Sequence, residues 1–438
     1  MSGSRAAALG LLGFALALAC RDAEVPEKDP RAKLGTLERP NIVLVMVDTL
    51  RPDWTTPYDA SATTSPELAR WAGQGVVFER VLAQSSWTKV SVASLMTSLW
   101  PPDLGVREVR DALGEGAETL AELFQGAGYR TYGVQSNGWL AATFGFHQGF
   151  DRYVFPRGAK VAWMKSMVWP HADNVYLEAD RLLEAHDREL PFFLYLHFMD
   201  VHEYAAPSEF KHFGTDAKGD YLAAIRWVDH VLERLRARLD ELGLLDNTLL
   251  VLSSDHGETF GEDRHHGHAR NVRTPVLRVP LILRFPFPAE PLRVSQQVRN
   301  LDLAPTLLAL AGIPVPDSFQ GRSLLPLFGG DAPSDDLPSY ASLGALLYVD
   351  AVLQDSVNDG GWSFSRDLGE AARERLFDGR VDPDENVDLV DVEAQDAERL
   401  RAMLDAYQRR SPRPDTVRSE IRIDPGIAEK LRALGYLQ

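Results

Sequence analysis

The residues of this 438-residue chain best suited to chemistry are two aspartates, a histidine and a threonine. Asp48 follows the apolar run NIVLVMV, and Asp255 and His256 follow TLLVLSS. Carboxylate oxygens and an imidazole nitrogen together form a donor set for a divalent cation. Thr88 stands in WTKVSVASLMTS, where small residues begin a stretch that reads as a helix packed closely on a sheet. A threonine hydroxyl is a weak nucleophile at neutral pH, but coordination to a cation favours its alkoxide. Trp87, Thr88 and Lys89 lie at or just before the helix start, where free N–H groups and the positive dipole end draw an anion. The combination is a cation, a hydroxyl beside it and a place for an anionic group.

Each residue also has an ordinary reading. A lone Asp after a strand commonly caps a helix or forms a turn, and Thr is a frequent helix cap. On spacing alone the cap is the better reading of Thr88. Asp-His-Gly-Glu, residues 255–258, is equally a turn with glycine at a positive dihedral angle.

The elements that must position these residues are legible. NIVLVMV has no polar alternation, as expected of a strand covered on both faces. FFLYLHFMDVH delivers Asp200 and His202 in the same way, and TLLVLSSDHGE delivers Asp255, His256 and Glu258. Between such runs lie helix patterns. Leu222, Ile225, Val228, Leu232, Leu235, Leu239 and Leu242 form one stripe, which Gly243 ends. Alternating strands and helices predict an α/β sandwich with a mainly parallel central sheet, whose ligands bind beyond the strands' carboxyl ends.

The formal net charge of −17 argues against a nucleic-acid partner, because no basic surplus exists to neutralise phosphates. Arg5 precedes an apolar stretch from Ala6 to Ala19 that is too short for a permanent bilayer span. Cys20, the one cysteine, follows it. This resembles a bacterial lipoprotein signal, with Cys20 the lipidated mature N-terminus; Ala17 departs from the leucine usual three residues earlier. The expectation is an exported lipoprotein, anchored in the membrane and facing the periplasm or cell exterior. Its segments are a signal at 1–20, a charged, proline-containing tether at 21–39, a catalytic domain at 40–330, a C-terminal subdomain at 331–415 and a tail helix at 416–438.

The blocks PNIVLVMVDTLRPD, WTKVSVASLMTSLWP, AGYRTYGVQSNGWL, FGFHQGFD, PFFLYLHFMDVH, LLDNTLLVLSSDHGETFGE, RVPLILRFP and LDLAPTLLALAGIPVPDSFQGRSLLPLF resemble, in order, those of the sulfatase family. The family belongs to the alkaline-phosphatase superfamily, and the similarity resumes at RLFDGRVDPDENVDL and LRALGYL. The resemblance implies an alkaline-phosphatase-like fold with a small C-terminal antiparallel subdomain packed by a helix, here residues 393–409. It implies a metal site of Asp48, Thr88, Asp255 and His256, with Thr88 at the nucleophile position rather than Ser85, Ser86 or Ser91. Authentic sulfatases carry there a cysteine or serine that becomes formylglycine, in a Cys-x-Pro-Ser-Arg pattern. Here that pattern reads Thr88, Lys89, Val90, Ser91, Val92, and Thr49 replaces the usual second aspartate.

These departures have chemical consequences. Formylglycine hydrate has a second hydroxyl that can expel sulfate; threonine lacks it. A phosphorylated Thr88, by contrast, is cleared by in-line attack of water or an alcohol. The set resembles the single-metal site of the superfamily's threonine-nucleophile phosphotransferases and phosphodiesterases. One imidazole among oxygens favours zinc or manganese over calcium or magnesium as the one divalent ion. His202 and His268 are expected to join Thr88 in catalysis, His202 protonating a leaving oxygen or binding the anion. Lys89, His202, His266, His268 and Arg270 are expected to bind substrate. His265, His266 and His268 read as supplying one substrate-binding histidine rather than a second metal site. Arg51 is expected to support the Asp48 loop. The partner class is a sulfated or phosphorylated small molecule, glycan or lipid headgroup. The enzyme reading is a sulfatase-like hydrolase of sulfuric or phosphoric esters. Beside it stand transfer of a phosphoryl group to an alcohol, and a catalytically silent glycan-binding homologue.

Overall fold

A computed structural model describes residues 30–35, 37–156, 171–262, 266–329, 336–345, 347–348, 351–370 and 372–433. The expected signal, most of the tether, Cys20, His265 and the final residues of the tail lie outside the described residues.

The central sheet has eight strands. They are β1 (Asn41–Val47), β2 (Gly75–Leu82), β3 (Arg130–Gln135), β4 (Arg152–Val154), β5 (Phe192–Phe198), β6 (Thr248–Ser253), β7 (Arg278–Arg284) and β8 (Leu292–Arg299). Their spatial order is β8-β2-β7-β6-β1-β5-β3-β4. β7 alone runs against both its neighbours, and the other adjacent pairs are parallel. β1 therefore sits between β5 and β6, which brings three polar strand ends to one edge.

The two faces of β1 explain its lack of polar alternation. Ile42, Leu44 and Met46 belong to one apolar cluster, while Val43, Val45 and Val47 belong to another. The first contains α1 (Thr88–Thr97), every residue of which is buried. The second contains α2 (Ala217–Glu241), with Ile225, Val228, Leu232, Leu235 and Leu239 of the expected stripe fully covered. Leu222 and Leu242 are half-buried, and Gly243 follows the helix at φ +67°. A helix buried only along a stripe needs a strong apolar period; one buried all round needs small side chains, as in α1.

Beyond the main sheet, β9 (Ser339–Leu343), β10 (Gln354–Asp359), β11 (Trp362–Asp367) and β12 (Glu374–Asp378) form a four-stranded antiparallel sheet. α3 (Ala394–Gln408) covers it through Ala397, Leu400, Leu404 and Tyr407.

Lys89 fixes the start of α1 and departs from its expected role as a substrate-binding residue. It is fully buried. Its Nζ donates to the carbonyls of Glu108 at 2.8 Å, Val109 at 2.9 Å and Asp111 at 2.8 Å. An ammonium has three N–H donors, so none remains for a substrate. Trp87, Trp139 and Phe144 surround it with ring faces 4.7–5.2 Å away. Burial pulls its pKa down to about 7 despite the nearby Asp111 and Glu108 charges. Replacing Lys89 with Met would take the Lys89 donor from the Val109 and buried Asp111 carbonyls, while Glu108 O keeps the Asp111 N–H at 3.0 Å. The expected loss, read from urea unfolding, is roughly 2–4 kcal/mol, with a smaller loss for Lys89→Arg.

Candidate active site

The site forms where β1, β3, β5 and β6 end and α1 begins. Asp48 follows β1 directly, and its N–H donates to the carbonyl of Phe198 at the end of β5 (2.9 Å). Asp255 and His256 follow β6 by one and two residues after Ser254. Asp48, Asp255 and His256 each offer one ligand atom, all within 4.8 Å of one another and all buried; this is the one such group among the described residues.

Hydrogen bonds decide how each ligand atom points. The Oδ2 of Asp48 accepts from Asn137 Nδ2 at 2.7 Å, His197 Nε2 at 3.1 Å and Thr88 Oγ1 at 3.4 Å. Asp255 Oδ1 accepts from the N–H groups of His256 at 3.0 Å and Thr49 at 3.3 Å. The other oxygens, Asp48 Oδ1 and Asp255 Oδ2, are buried and receive no hydrogen bond. The Nδ1 of His256 lies 3.0 Å from the carbonyl of Gly257, which can only accept. That contact puts the hydrogen on Nδ1 and leaves Nε2 a lone pair, 3.4 Å from Asp255 Oδ2 and 3.9 Å from Asp48 Oδ1. Two orphaned carboxylate oxygens and an imidazole lone pair face one another without a proton between them. A divalent cation fits this donor set.

Thr88 is not a helix cap. Trp87 holds the cap position, and Thr88 is the first helical residue. Its Oγ1 lies 3.3 Å from His256 Nε2 and 3.4 Å from both Asp48 Oδ2 and Asn137 Nδ2. The neighbouring hydroxyls serve the backbone instead. Ser86 donates to Asn271 O at 2.6 Å, Ser91 donates to Asp255 O at 2.5 Å, and Ser85 Oγ accepts the Trp87 N–H at 3.2 Å.

The loops are held hard. Thr49, in place of the family's second aspartate, adopts φ +60°, a costly conformation for a β-branched residue. Its N–H is tied to Asp255, its Oγ1 donates to Asp48 O at 2.7 Å, and its carbonyl accepts from the Tyr221 hydroxyl at 2.7 Å. Arg51 supports this loop as expected, bonding Asp53 at 2.7 Å, Glu262 at 2.5 Å and Glu258 O at 3.1 Å. Gly257 does not take the positive φ expected of a turn. It is small because a Cβ there would meet Pro275 O at 2.8 Å.

Of the residues expected to bind substrate, His202 and His268 join the cluster. The His268 ring stacks on His256 at 4.6 Å and lies 4.8 Å from His202. Their environments push them apart. Burial pulls His202 down, but the Glu203 hydrogen bond and the Asp48, Glu203 and Glu258 charges win and push it up to about 9. For His268 burial prevails over Glu258, and its pKa falls below the ordinary value. Burial pushes Asp48 up too, yet the His197 hydrogen bond and the charge of His202 hold it well below the usual carboxylate range. Arg270 donates to His268 O at 3.2 Å and stacks over Tyr348 at 4.2 Å. His266 does not join: it is exposed, on a two-residue strand paired with Phe260. Asp200 also turns aside, to Trp227 at 3.0 Å and His171 at 3.3 Å.

Sequence reasoning missed Asn137 and His197. Asn137 follows the end of β3 by two residues, and the strand-end rule applied to Asp48 and Asp255 points to it. His197 interrupts an otherwise apolar, buried β5, and that single imidazole was its signal.

A family model described as Sulfatase matches residues 40–313, and one described as N-sulphoglucosamine sulphohydrolase, C-terminal, matches residues 261–406. The chain is 22% identical to the N-acetylgalactosamine-6-O-sulfatase of Bacteroides thetaiotaomicron, over 85% of this chain and 94% of that one. It is 36% identical to the steryl-sulfatase of Rattus norvegicus over 160 residues, a stretch that spans 33% of this chain and 27% of that protein. The solved phosphonate monoester hydrolase of Agrobacterium radiobacter shares the fold with a TM-score of 0.70 at 19% identity, over 84% of this chain and 95% of that one. The strand-end cluster, the alkaline-phosphatase-like sheet and the match over most of the main body agree: this chain belongs to the sulfatase family of ester hydrolases.

Proposed function

We propose that the protein is a metal-dependent hydrolase of phosphoric or sulfuric esters, with Thr88 as nucleophile and phosphoryl esters the better substrates. The observation that carries this reading is the Thr88 hydroxyl, at the N-terminus of α1, 3.3 Å from His256 and 3.4 Å from Asp48. Asp48, Asp255 and His256 would hold the cation, with Thr88 beside them. When bound, a divalent cation supplies positive charge that polarises the ester oxygens and favours deprotonation of a nearby hydroxyl.

The chain's own groups account for the rest. Asn137 is oriented by its Oδ1, which accepts the Trp139 N–H at 2.9 Å, so its NH₂ faces Thr88 and Asp48. Asp48 Oδ2 stands where it can take the hydroxyl proton as Thr88 Oγ1 attacks phosphorus or sulfur. His202, kept protonated by Glu203 and Asp48, gives its proton to the leaving oxygen as that bond breaks. Water or an alcohol then attacks the transferred group and gives its proton to the now neutral His202, while Thr88 leaves and takes back the proton that Asp48 holds. Threonine has one hydroxyl and cannot expel sulfate by elimination, which favours phosphorus. The relatives' names support both classes: one acts on a sulfated sugar and one on a phosphonate monoester. A sulfated or phosphorylated glycan, small molecule or lipid headgroup fits this reading. We further infer export and anchoring through Cys20, supported by the leader pattern alone; among the described residues no helix is long and apolar enough to cross a membrane.

Thr88→Ala is expected to cut kcat/KM for an aryl phosphodiester by at least about 10³-fold, with Thr88→Ser retaining part of the rate. Wild-type turnover of the matching aryl sulfate should be slower. Equal rates for wild type and Thr88→Ala would remove Thr88 from the mechanism, and no turnover of either ester would favour a silent binder.

Chelation should abolish turnover, and zinc or manganese should restore it. At a hundred times its dissociation constant the cation should add about 2.7 kcal/mol of stability, an increment absent in Asp255→Asn.

In the chelated protein the His202 shift makes a signed prediction. Its folded pKa, about 9, exceeds the ordinary 6.5, so its stabilisation is complete below pH 6.5 and is lost as pH rises through about 9. Thermal melts across that window should fall for wild type and flatten for His202→Asn.

A further inference from the structure

The two oxygens of Asp48 are treated very differently. Oδ2 accepts from Asn137, His197 and Thr88, whereas Oδ1 receives no donor. His197 is the costly member of that trio. It sits inside β5 opposite Met46, fully buried among Phe, Leu and Tyr, where an apolar side chain would satisfy the sheet without a polar group to desolvate. Both ring nitrogens are nonetheless engaged. Nε2 meets Asp48 Oδ2 at 3.1 Å, and Nδ1 meets the hydroxyl of Tyr195, also buried, at 2.9 Å. An ionised carboxylate only accepts, so Nε2 carries the hydrogen; Nδ1 then accepts the Tyr195 O–H. The three groups form a buried line, Tyr195 to His197 to Asp48, that ends on one carboxylate oxygen.

We infer that His197, backed by Tyr195, is a positioning residue that occupies Asp48 Oδ2, confines Asp48 to a single ligand oxygen, and so tunes the site towards zinc or manganese and against calcium. The inference rests on the reading of Asp48, Asp255 and His256 as the cation site. Calcium takes six to eight oxygens and commonly uses both oxygens of a carboxylate, whereas zinc is content with four donors. An aspartate whose second oxygen is already filled by N–H and O–H donors cannot chelate. Loss of the His197 donor would leave Oδ2 held by Asn137 at 2.7 Å and Thr88 at 3.4 Å alone, and so loosen the restraint that keeps Asp48 from offering both oxygens.

The test is calorimetric titration of the chelator-stripped full chain with zinc, manganese and calcium salts. It compares wild type with His197→Phe, His197→Gln and Tyr195→Phe. Wild type should prefer zinc and manganese to calcium. His197→Phe should weaken zinc binding about 10–100-fold, the usual effect of removing a group behind a metal ligand, without a matching loss for calcium. The zinc-to-calcium affinity ratio should therefore fall at least about tenfold. Gln, which keeps an N–H donor, should hold the ratio near wild type. Tyr195→Phe keeps its ring packing and should lower the ratio by less; it carries the test if His197→Phe does not fold. A role in packing alone would lower the melting temperature of the metal-free protein and leave the ratio unmoved. Unchanged ratios in the Phe variants would overturn the positioning role while leaving the cation site standing. Failure of wild type to bind any of the three ions would overturn both.

Discussion

Two carboxylates buried side by side set the terms for everything around them. Asp48 and Asp255 are both inaccessible to solvent, and each keeps one oxygen without a donor. Removing an ionised carboxylate from water costs several kcal/mol even after a protein relaxes around it, and like charges raise that cost. The chain offsets part of it with donors on the outer oxygens, from Asn137 and His197 on one side and from the Thr49 and His256 N–H groups on the other. The inner oxygens have only the His256 lone pair for company, which repels them. Such an arrangement is stable in a folded protein when a cation completes it, so the fold around it is built to tolerate strain until then.

That strain is placed locally and shared among elements distant in sequence. Thr49 holds a left-handed conformation between the two carboxylates, pinned by Asp255 and Tyr221. Ser91 in α1 grips the Asp255 carbonyl, which couples the helix carrying Thr88 to the loop carrying two candidate ligands. Lys89, one residue after Thr88, anchors the same helix to the 108–111 loop. Thr88 is thus fixed from two directions by its neighbours, and its hydroxyl is left for the cluster.

How much of this was legible follows from which residues announce themselves. β1 and β6 read clearly because runs without polar alternation mean a sheet covered on both faces, and their ends gave Asp48, Asp255 and His256. The α2 stripe read clearly for the same reason of period. Thr88 was ambiguous, since a first-turn residue and a cap differ by one position, and only the location of Trp87 separates them. Lys89 was misread because a buried lysine is rare, and the three carbonyls that make it tolerable come from a loop twenty residues away. His266 was misread because a cluster of histidines in sequence is split by a hairpin, which sends His266 outward and His268 inward. His197 and Asn137 act through Asp48 across 149 and 89 residues, and contacts at that range leave no spacing to read.

Charge balance connects the site to its substrate class. Asp48, Asp255 and Glu258 place three buried negative charges in the site, and Glu258, like Asp48, is held below its ordinary pKa by the imidazoles around it, although burial pushes it up. A protonated His202 returns one positive charge, which leaves these four side chains at about minus two. An ester dianion or monoanion entering such a site would meet repulsion that low local polarity strengthens. A divalent cation cancels that residue of charge, so the anion then meets a neutral centre with the helix N-terminus and the Asn137 amide turned towards it. Cation first and anion second is the order that electrostatics favours. On the proposed function a chain with a net charge of −17 would serve an anionic substrate with borrowed positive charge, held where the acidic side chains already are.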